Sequence, residues 1–555
     1  MNQNMPVGVS DFKKVREKYY FVDKTDFIRQ LIDKPNEVTL FTRPRRFGKT
    51  LTMSMLDHFF SIDKANISKK LFQGMAIEQA GIKYMQERGK HPVIFISFKE
   101  CCEVSWEEMY EQLTVQIQYE FQKHRYLLDG DALRPEEKDL VQRFITRKAD
   151  IVEYKRSLWY LSMYLSRYFG TNAIVLIDEY DAPLQYAYAN GFYDRAINFF
   201  KRLFSAVLKE NDFLNFAVLT GVLRIAKESI FSGLNNLAVY SVLESTYSDV
   251  FGFTAAEVAQ MSKDLHGEEK IAEIKQWYDG YTFGQTEIYN PWSVIQYFSE
   301  NCTPAPYWIS TSDNGILRQL LHHATPLQTS ALQELLQGKS VATSLTPNVI
   351  YRTLQVDSQS LYTILLTTGY LTADTAVKYA DNRYRLRIPN EEIKRVYRLE
   401  ILDTLARGLD SNAFENLFDY LFTGRAEQFE SQLQMLLIQF VSSYDTANHE
   451  SFYHGFMLGM TALFLTKEYD TESNRESGYG RFDLAFFPLQ AGKVGVIMEF
   501  KVADSEQQLE AKAQEALQQI ENKAYITEFQ KRKVQHVWKY GIAFYGKHVK
   551  IVQSV

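Results

Sequence analysis

Short apolar runs alternate with amphipathic stretches through the first half of the chain. The runs are nearly continuous in apolar residues and rich in β-branched ones, which is typical of parallel strands covered on both faces by helices. The strands that this pattern predicts span Glu37–Thr42, His91–Phe98, Asn172–Ile177 and Phe216–Thr220. The helices that it predicts around them include Lys49–Phe60, Trp106–Lys123 and Arg195–Lys209. The pattern therefore predicts an α/β fold with a doubly wound parallel-sheet core.

The pattern changes twice further along the chain, and the changes predict three domains at residues 1–250, 251–405 and 406–555. The middle stretch is helical and aromatic-rich at its start, so we expect a helical or winged-helix-like lid and middle module. Within it, Gly369–Thr372 and Arg383–Ile388 predict a small sheet. The last stretch predicts an α/β domain, with helices over Ala413–Phe440 and Ser451–Thr466 and a polar loop at Glu472–Gly480. Its remaining predicted elements are strands Phe482–Phe487 and Val494–Val502, a helix at Glu506–Glu521, and a hairpin of Val537–Phe544 with His548–Val552.

The composition of the chain indicates the cellular environment of the protein but does not indicate which reaction it catalyses. The formal net charge is -6, which gives no global support for nucleic-acid binding, so a nucleic-acid role must rest on a local site. The 3 cysteines form no CxxC pair, and neither an apolar leader nor a membrane-length apolar run is visible. We therefore expect a cytoplasmic protein without a membrane partner.

A phosphate-binding loop follows the first predicted strand. Its residues are Arg43, Pro44, Arg45, Arg46, Phe47, Gly48, Lys49 and Thr50. Gly48 allows the backbone to approach phosphates, and the N-terminus of the next helix directs amide groups at them. Lys49 is expected to neutralise the β- and γ-phosphates, and Thr50 to ligate Mg²⁺. Arg43 occupies the place of the usual first glycine, which departs from the common pattern. The loop predicts a nucleoside triphosphate site, with ATP and Mg²⁺ as its ligands.

Polar residues that suit hydrolysis follow two other predicted strands. Asp178 and Glu179 end an apolar run, at the edge where open α/β sheets bind their ligands. Asp178 can hold Mg²⁺, and Glu179 is placed to polarise an attacking water. Thr220 ends the next strand, where it can sense the γ-phosphate, and Arg224 can stabilise transition-state charge in cis or across a subunit interface. An ordinary junction between strand and loop is the alternative for this last pair.

Carboxylates and a lysine also recur near the C-terminus. Glu499 and Lys501 share a face of one predicted strand, and Asp483 lies on the neighbouring strand. Asp483 and Glu499 are predicted metal ligands, Lys501 would orient or deprotonate water, and Glu450 is a further candidate ligand. Gln519 would position water or phosphate. The alternative is a cross-strand salt bridge, but Glu499 lies in an apolar run where an unpaired charge would be costly.

These residues together resemble a bacterial family that joins an AAA-ATPase-like domain to a C-terminal PD-(D/E)XK nuclease-superfamily domain. The family also looks related to archaeal-type ATPases, in which arginines replace part of the glycine-rich loop, so the resemblance makes Arg43 an expected residue. The matching stretches are FVDKT, LFTRPRRFGKTLTMSML, LIDEYDAPL, LTGVLRIAKESIFSGLNNL, WYDGY, YNPWS, ESGYGRFDL and EFK. The resemblance implies ATP binding and the fold of both ends.

Two functions are compatible with these features. The first is an ATP-hydrolysing protein whose nuclease-like domain acts on nucleic acid, with DNA favoured over RNA. The second is a regulatory NTPase switch, with a homo-oligomer controlled by ATP and a nuclease-like domain that binds without cleaving. Cleavage of plasmid DNA separates them.

Overall fold

The computed structural model describes residues 4–224, 230–231, 235–308, 334–336, 338–345, 358–374, 383–397, 413–440, 453, 457, 469–477, 480–490, 492–523 and 525–554. It divides into two compact units, one of residues 1–313 and 338–394 and the other of residues 314–337 and 395–555. The predicted domain boundaries at residues 250 and 405 remain predictions. No helix among the described residues is long and apolar enough to cross a membrane.

A five-stranded parallel sheet forms the core of the first unit. Its strands are β1 (Val38–Thr42), β2 (Val93–Ser97), β3 (Ala173–Asp178), β4 (Leu214–Gly221) and β5 (Leu237–Tyr240). Every residue of β1 and β3 is buried, as expected for strands with helices on both faces. The predicted parallel α/β core is thus confirmed.

The strand order of this sheet is β2-β3-β4-β1-β5. β4 therefore separates β1 from β3, and it pairs with both in parallel register. All five strands run the same way, so the ends of β1, β3 and β4 meet at one edge of the sheet. This edge brings together the phosphate loop after β1, the acidic residues after β3 and the threonine near the end of β4.

Helices cover the sheet and connect its strands. The helix Lys49–Phe60 begins directly after the phosphate loop and is almost wholly buried. The other α-helices of this region are Phe12–Lys18, Asp26–Asp33, Ala65–Leu71, Ala76–Gln79, Ile82–Met85, Trp106–Lys123, Pro135–Ile145, Ile151–Tyr154, Ser157–Phe169, Ala182–Ala189 and Tyr193–Leu208.

The predicted helical character of the middle region is confirmed. Its helices are Ala255–Asp264, Ile271–Tyr278, Pro291–Ser299 and Ser358–Thr368. Two small antiparallel sheets accompany them, β6-β8-β7 and β10-β11-β9. Their strands are β6 (Phe253–Thr254), β7 (Tyr281–Phe283), β8 (Thr286–Tyr289), β9 (Val341–Ser344), β10 (Thr372–Asp374) and β11 (Arg383–Arg387). The small sheet expected near residues 369–388 is therefore present, with a third strand that the sequence pattern did not indicate.

The second unit contains a five-stranded mixed sheet of order β12-β13-β14-β15-β16, in which only β14 and β15 are parallel. Its strands are β12 (Tyr469–Ser477), β13 (Gly480–Pro488), β14 (Gly495–Val502), β15 (Val537–Tyr545) and β16 (His548–Ser554). Described helices of this unit are Ala413–Phe422, Ala426–Phe440, Leu509–Asn522 and Thr527–Lys531. The predicted hairpin is confirmed by the antiparallel pairing of β15 with β16.

The polar loop predicted at Glu472–Gly480 is wrong. Most of this stretch belongs to β12, which pairs with β13 from Tyr469↔Pro488 to Ser477↔Gly480. Backbone hydrogen bonds with β13 make this polar segment a strand. The pattern of apolar residues along the chain cannot show such pairing. Of the predicted helix Ser451–Thr466, only Tyr453 and Met457 are among the described residues. Glu450 lies outside them.

Candidate nucleotide and nuclease-like sites

The phosphate loop joins the end of β1 to the helix Lys49–Phe60. Gly48 adopts φ +83°, a left-handed conformation that costs glycine little and other residues much more. Since Gly48 has no side chain to cap the helix, the first amide groups of the helix can serve a bound anion. The loop therefore has the backbone geometry that phosphate binding requires.

Asp178 connects all three strand ends at this edge. Its Oδ2 accepts a hydrogen bond from the Thr50 hydroxyl at 2.8 Å, and its Oδ1 accepts one from the Thr220 hydroxyl at 2.6 Å. Ser97, at the end of β2, contacts Oδ2 at 3.3 Å. Burial raises the pKa of Asp178, the charge of Glu179 adds to this effect, and the two threonine hydrogen bonds oppose it. The carboxylate thus lies where a nearby cation would stabilise its charged form.

Glu179 and Lys49 form an ion pair across the site. The Lys49 Nζ lies 3.2 Å from the Glu179 Oε1, and it also donates to the backbone carbonyls of Arg43 and Pro44 at 3.3 and 3.2 Å. Glu179 has φ +51°, which is uncommon for a residue other than glycine. Strained backbone of this kind clusters at functional sites. The lysine expected to bind phosphates and the glutamate expected to polarise water therefore contact each other.

Arg43 holds the phosphate loop against the rest of the first unit. Its guanidinium is fully buried and lies within 5.3 Å of the centres of two phenylalanine rings, Phe251 and Phe283. It donates to three backbone carbonyls, those of Thr42 at 2.9 Å, Tyr240 at 2.8 Å and Tyr247 at 3.1 Å. Burial lowers the pKa of Arg43 to about 10, so the side chain stays charged at neutral pH. Arg43, at the usual glycine position, therefore stabilises the phosphate loop against the surrounding backbone.

Replacing Arg43 with glycine, which restores the common loop pattern, should weaken the protein. The variant loses three charge-assisted hydrogen bonds and leaves buried carbonyls without a donor, a loss of about 3 kcal/mol or more. We expect a lower thermal unfolding midpoint and weaker ATP binding. Arg43→Lys keeps the charge but not the fork of donors, so it should fall between the variant and the wild type. An Arg43→Gly protein as stable as the wild type would contradict this assignment.

The middle region packs directly on the phosphate loop. The Arg46 guanidinium lies 4.2 Å from the centre of the Trp292 ring, and Phe47 is buried against Tyr281 at 5.0 Å between ring centres. The indole N–H of Trp308 donates to the backbone carbonyl of Arg45 at 3.4 Å. The WYDGY and YNPWS stretches therefore supply part of the wall around the loop, a role that their sequences alone did not reveal.

A buried acid, Glu392, lies behind this wall and was not singled out from the sequence. Its carboxylate accepts from the Ser293 hydroxyl and from the backbone N–H of Trp308, the latter at 2.9 Å. Burial raises the pKa of Glu392 to about 8, although its hydrogen bonds with the Trp308 backbone, the Ser293 hydroxyl and the Tyr307 backbone act to lower it. The neighbouring phenols of Tyr278 and Tyr307 also have raised pKa values, so neither changes charge near neutral pH.

The stability of the protein should fall with rising pH because of Glu392. Its folded-state pKa of about 8 lies above its ordinary value of 4.5, so the protonated acid stabilises the fold fully below pH 4.5. That contribution declines by up to about 1.4 kcal/mol per pH unit and is gone once the pH has passed through 8. Glu392→Gln should remove this dependence, since its amide can serve the same two partners. Thermal unfolding midpoints of both proteins from pH 5 to 9 test this, and a constant difference between them would contradict it.

The two remaining predicted residues of this site, Thr220 and Arg224, differ in how deeply they are buried. Thr220 is fully buried and bonded to Asp178, whereas Arg224 is half-buried just beyond β4. Asp181 was not singled out, yet it is fully buried and accepts from the backbone N–H groups of Val222 and Leu223, at 3.0 and 2.7 Å. Burial, and next the charge of Glu179, raise the pKa of Asp181 to about 6. Asp181 therefore fixes the turn after β4 to the turn after β3.

In the second unit, Asp483 lies where β13 and β14 diverge. The ladder between these strands runs from Phe486↔Val496 to Leu484↔Met498. Beyond it, the Asp483 Oδ2 accepts from the backbone N–H of Phe500 at 2.7 Å. The side chain thus replaces the backbone partner that the diverging strand no longer supplies, and it places Asp483 beside the end of β14.

Glu499 is the centre of the second cluster. It is only 3% exposed, and its Oε1 accepts from the Lys501 Nζ at 3.3 Å and from the Gln519 side-chain amide. Glu499 and Lys501 share one face of β14, as the alternation predicted. The structure therefore brings Asp483, Glu499, Lys501 and Gln519 into one neighbourhood.

A glycine explains how Gln519 reaches this cluster. Gly541 is the register partner of Glu499 on β15. A Cβ atom at Gly541 would lie 2.2 Å from the Ala513 carbonyl oxygen, so only glycine lets the helix Leu509–Asn522 pack this closely. Sequence reasoning missed Tyr525, which is buried and accepts from Gln519 at 3.4 Å. Burial raises the pKa of Tyr525, and the charges of Glu499 and Asp483 add to this effect. The Gln519 hydrogen bond and the charge of Lys501 oppose it.

Comparison with known proteins matches both clusters to family models. Residues 6–231 match the model described as "Predicted AAA-ATPase", and residues 448–554 match the PD-(D/E)XK nuclease superfamily. The chain joins an AAA-ATPase-like region to a PD-(D/E)XK nuclease-superfamily region. The AAA-ATPase-like region contains the phosphate loop and Asp178, and the nuclease-superfamily region contains Asp483, Glu499 and Lys501. The recognition made from sequence motifs is confirmed.

A relative extends the likeness over almost the whole chain. A protein of Azotobacter chroococcum mcd 1, named "Uncharacterized protein in vnfD 5'region", is 28% identical over 549 residues, which are 96% of this chain and 94% of the relative. Its name assigns no activity. The similarity therefore covers both regions of this chain.

The donors in the AAA-ATPase-like region suit ATP and Mg²⁺. A hydroxyl and a carboxylate lie 2.8 Å apart at a helix N-terminus, and Mg²⁺ prefers such oxygen ligands. Thr50 and Asp178 would hold the ion, and Lys49 would contact the phosphates. Bound Mg²⁺ would neutralise charge that develops on the transferred phosphoryl group. In the nuclease-superfamily region, Asp483 and Glu499 offer carboxylate oxygens to a divalent cation, and Glu450 stays an untested candidate.

Proposed function

We propose that the protein binds and hydrolyses ATP with Mg²⁺ at the carboxyl edge of its parallel sheet. The observation that supports this most is the contact set of Asp178, which joins Thr50 of the phosphate loop to Thr220 of β4. Glu179 follows Asp178 directly and pairs with Lys49 at 3.2 Å. Within this set Lys49 binds phosphate oxygens, Thr50 and Asp178 hold the cation, and Glu179 orients and polarises the attacking water.

Thr220 and Arg224 have secondary roles in this proposal. Thr220 holds Asp178 in position through its hydroxyl and lies where the state of the γ-phosphate can affect that contact. Arg224 stabilises transition-state charge, within one chain or from a neighbouring copy in a homo-oligomer. Arg45 and Arg46 add positive charge beside the phosphates.

We further propose that the C-terminal domain cleaves nucleic acid, with DNA as the first substrate to test. Asp483 and Glu499 would hold a divalent cation, and Lys501 would orient the water or assist its deprotonation. The chemistry that the cation supplies when bound is activation of water and stabilisation of charge on the phosphodiester. Gln519 donates to Glu499 and so keeps the carboxylate oriented toward the site.

The test of the proposal measures the two reactions separately on the full chain. ATP hydrolysis is followed by phosphate release with and without Mg²⁺, and cleavage is followed on plasmid DNA and RNA with Mg²⁺ or Mn²⁺. Lys49→Ala should remove ATP binding and leave the Asp483 cluster intact. Absence of ATP binding by the wild type would overturn the first proposal, and absence of cleavage under every condition would overturn the second.

A regulatory switch is the second candidate function, and one observation favours it. Glu499 already accepts from Lys501 and Gln519, so its charge is balanced within the protein. In that case ATP would control oligomerisation, and the nuclease-like domain would bind nucleic acid without cutting it. Nucleotide-dependent elution on a sizing column, together with intact plasmid DNA, would support the switch.

A further inference from the structure

One buried carboxylate connects two separate segments of the middle region. Glu392 lies near the start of the helical residues 391–397 and is fully buried. It accepts from the Ser293 hydroxyl at 2.8 Å on one oxygen and 2.9 Å on the other. It also accepts from the backbone N–H of Trp308 at 2.9 Å. Glu392 therefore ties the chain at Trp308 to the first turn of the helix Pro291–Ser299.

The two segments that Glu392 ties together are the ones that carry tryptophans onto the phosphate loop. Trp292 is the neighbour of Ser293, and its ring lies 4.2 Å from the Arg46 guanidinium. Trp308 donates its indole N–H to the carbonyl of Arg45 at 3.4 Å. Two consecutive loop residues are thus supported by groups that Glu392 holds in place.

The loop needs such support because its own backbone is strained. Arg46 adopts φ +71°, a conformation that costs a residue with a Cβ atom more than it costs glycine. A strained conformation persists only where the surroundings over-determine it. The contact of Trp308 with the Arg45 carbonyl and that of Trp292 with the Arg46 side chain are suited to this.

We propose that Glu392 is a positioning residue that holds the phosphate loop in its nucleotide-receiving shape through Trp308 and Trp292. This inference rests on the proposed binding of ATP at the loop. Glu392 touches neither the loop nor the nucleotide position in this scheme, and it acts only through the two tryptophan segments.

The first experiment compares ATP affinity among variants of the full chain. Glu392→Ala removes the acceptor for the Ser293 hydroxyl and for the Trp308 backbone N–H, and it should weaken ATP binding about tenfold, the loss that one to two net hydrogen bonds would produce. Glu392→Gln keeps an acceptor for Trp308 and should bind ATP like the wild type. Glu273→Ala serves as the control, because it removes the hydrogen bond from Tyr297, on the same helix as Ser293, and leaves the contacts of Glu392 with Ser293 and Trp308 in place. It should leave ATP affinity unchanged.

Trp308→Phe isolates the contact through which Glu392 is proposed to act. It keeps an aromatic ring but removes the indole donor to Arg45, and it should weaken ATP binding even if Glu392→Ala fails to fold. Where Glu392→Ala and Trp308→Phe both fold, they can be combined in one protein. This double variant should bind ATP with nearly the same affinity as whichever single variant binds it less tightly, because the two changes break one connection. Fully additive effects would overturn the inference, as would an unchanged affinity of Trp308→Phe.

Amide hydrogen exchange of peptides covering residues 43–50, in protein without nucleotide, separates this inference from the proposed function. Faster exchange in Glu392→Ala than in Glu273→Ala supports positioning of the loop whatever the ligand. If the wild type binds no ATP and exchange still responds, the proposed function fails alone. If the wild type binds ATP, and neither affinity nor exchange responds to Glu392→Ala, the inference fails alone.

Discussion

Replacing Glu179 with glutamine should lower the rate of ATP hydrolysis by roughly 100-fold or more, since a positioned general base contributes about 10²–10⁴. ATP binding should persist. Glu179 pairs with Lys49 at 3.2 Å, so a glutamine leaves more of the lysine charge available to phosphates. The measurement is single-turnover hydrolysis with ATP affinity determined in parallel. A loss of affinity together with an unchanged turnover number would contradict the role assigned to Glu179.

Glu136→Gln is the matched control for this change. Glu136 is exposed on the helix Pro135–Ile145. The substitution makes the same chemical change at a distance from the strand ends, so hydrolysis should stay at the wild-type rate. Asp178→Asn differs from Glu179→Gln in its expected effect, because Asp178 is a proposed Mg²⁺ ligand. Asp178→Asn should change how the hydrolysis rate depends on Mg²⁺ concentration, in addition to lowering the rate.

Replacing Lys501 with alanine should abolish cleavage of plasmid DNA, with a loss of roughly 100-fold or more if the lysine assists deprotonation of water. The rate of ATP hydrolysis should not change, because Lys501 belongs to the second cluster. The variant also removes the ion pair of Lys501 with Glu499, at 3.3 Å. Lys501→Arg would keep a charge near Glu499 but lacks a proton that is readily given up, so it should not restore cleavage.

Lys523→Ala is the control in the same domain. Lys523 is exposed at the end of the helix Leu509–Asn522, and its loss should leave cleavage intact. Circular dichroism and thermal unfolding of Lys501→Ala establish that the domain remains folded. Plasmid cleavage by Lys501→Ala at the wild-type rate would favour a structural role for the carboxylate cluster.

Most of the parallel core was predictable because its strands are buried on both faces. A run such as β3 is then apolar along its whole length, and its bounds follow from the sequence within a residue or two. The position of β4 between β1 and β3 was not predictable to the same degree, since strand order depends on contacts between distant segments. β12 was missed because its stability comes from pairing with β13 and not from apolar side chains.

In the candidate sites too, residues placed by the local sequence were predictable, and residues placed by contacts between distant segments were not. Gly48, Lys49, Thr50 and Asp178 follow from local spacing, because a strand, a loop and a helix N-terminus position them. Two of the three carbonyl partners of Arg43, Tyr240 and Tyr247, lie 197 and 204 residues further along the chain, so the sequence could show the arginine but not its structural role. Glu392 and Tyr525 gave no motif at all, and only the packing of distant segments makes them part of a site.

The edge strand β12 carries charged residues that bear on whether the sheet can accept a further strand. An exposed edge offers unpaired backbone groups to any other strand, which can lead to aggregation. Asp470 and Glu472 lie on this edge, and Arg532 pairs with both while its guanidinium lies 4.0 Å from the centre of the Phe487 ring. A foreign strand that approached the edge would have to displace or desolvate these charges. The polar composition that concealed β12 in the sequence is therefore also one that disfavours pairing of this edge with a further strand.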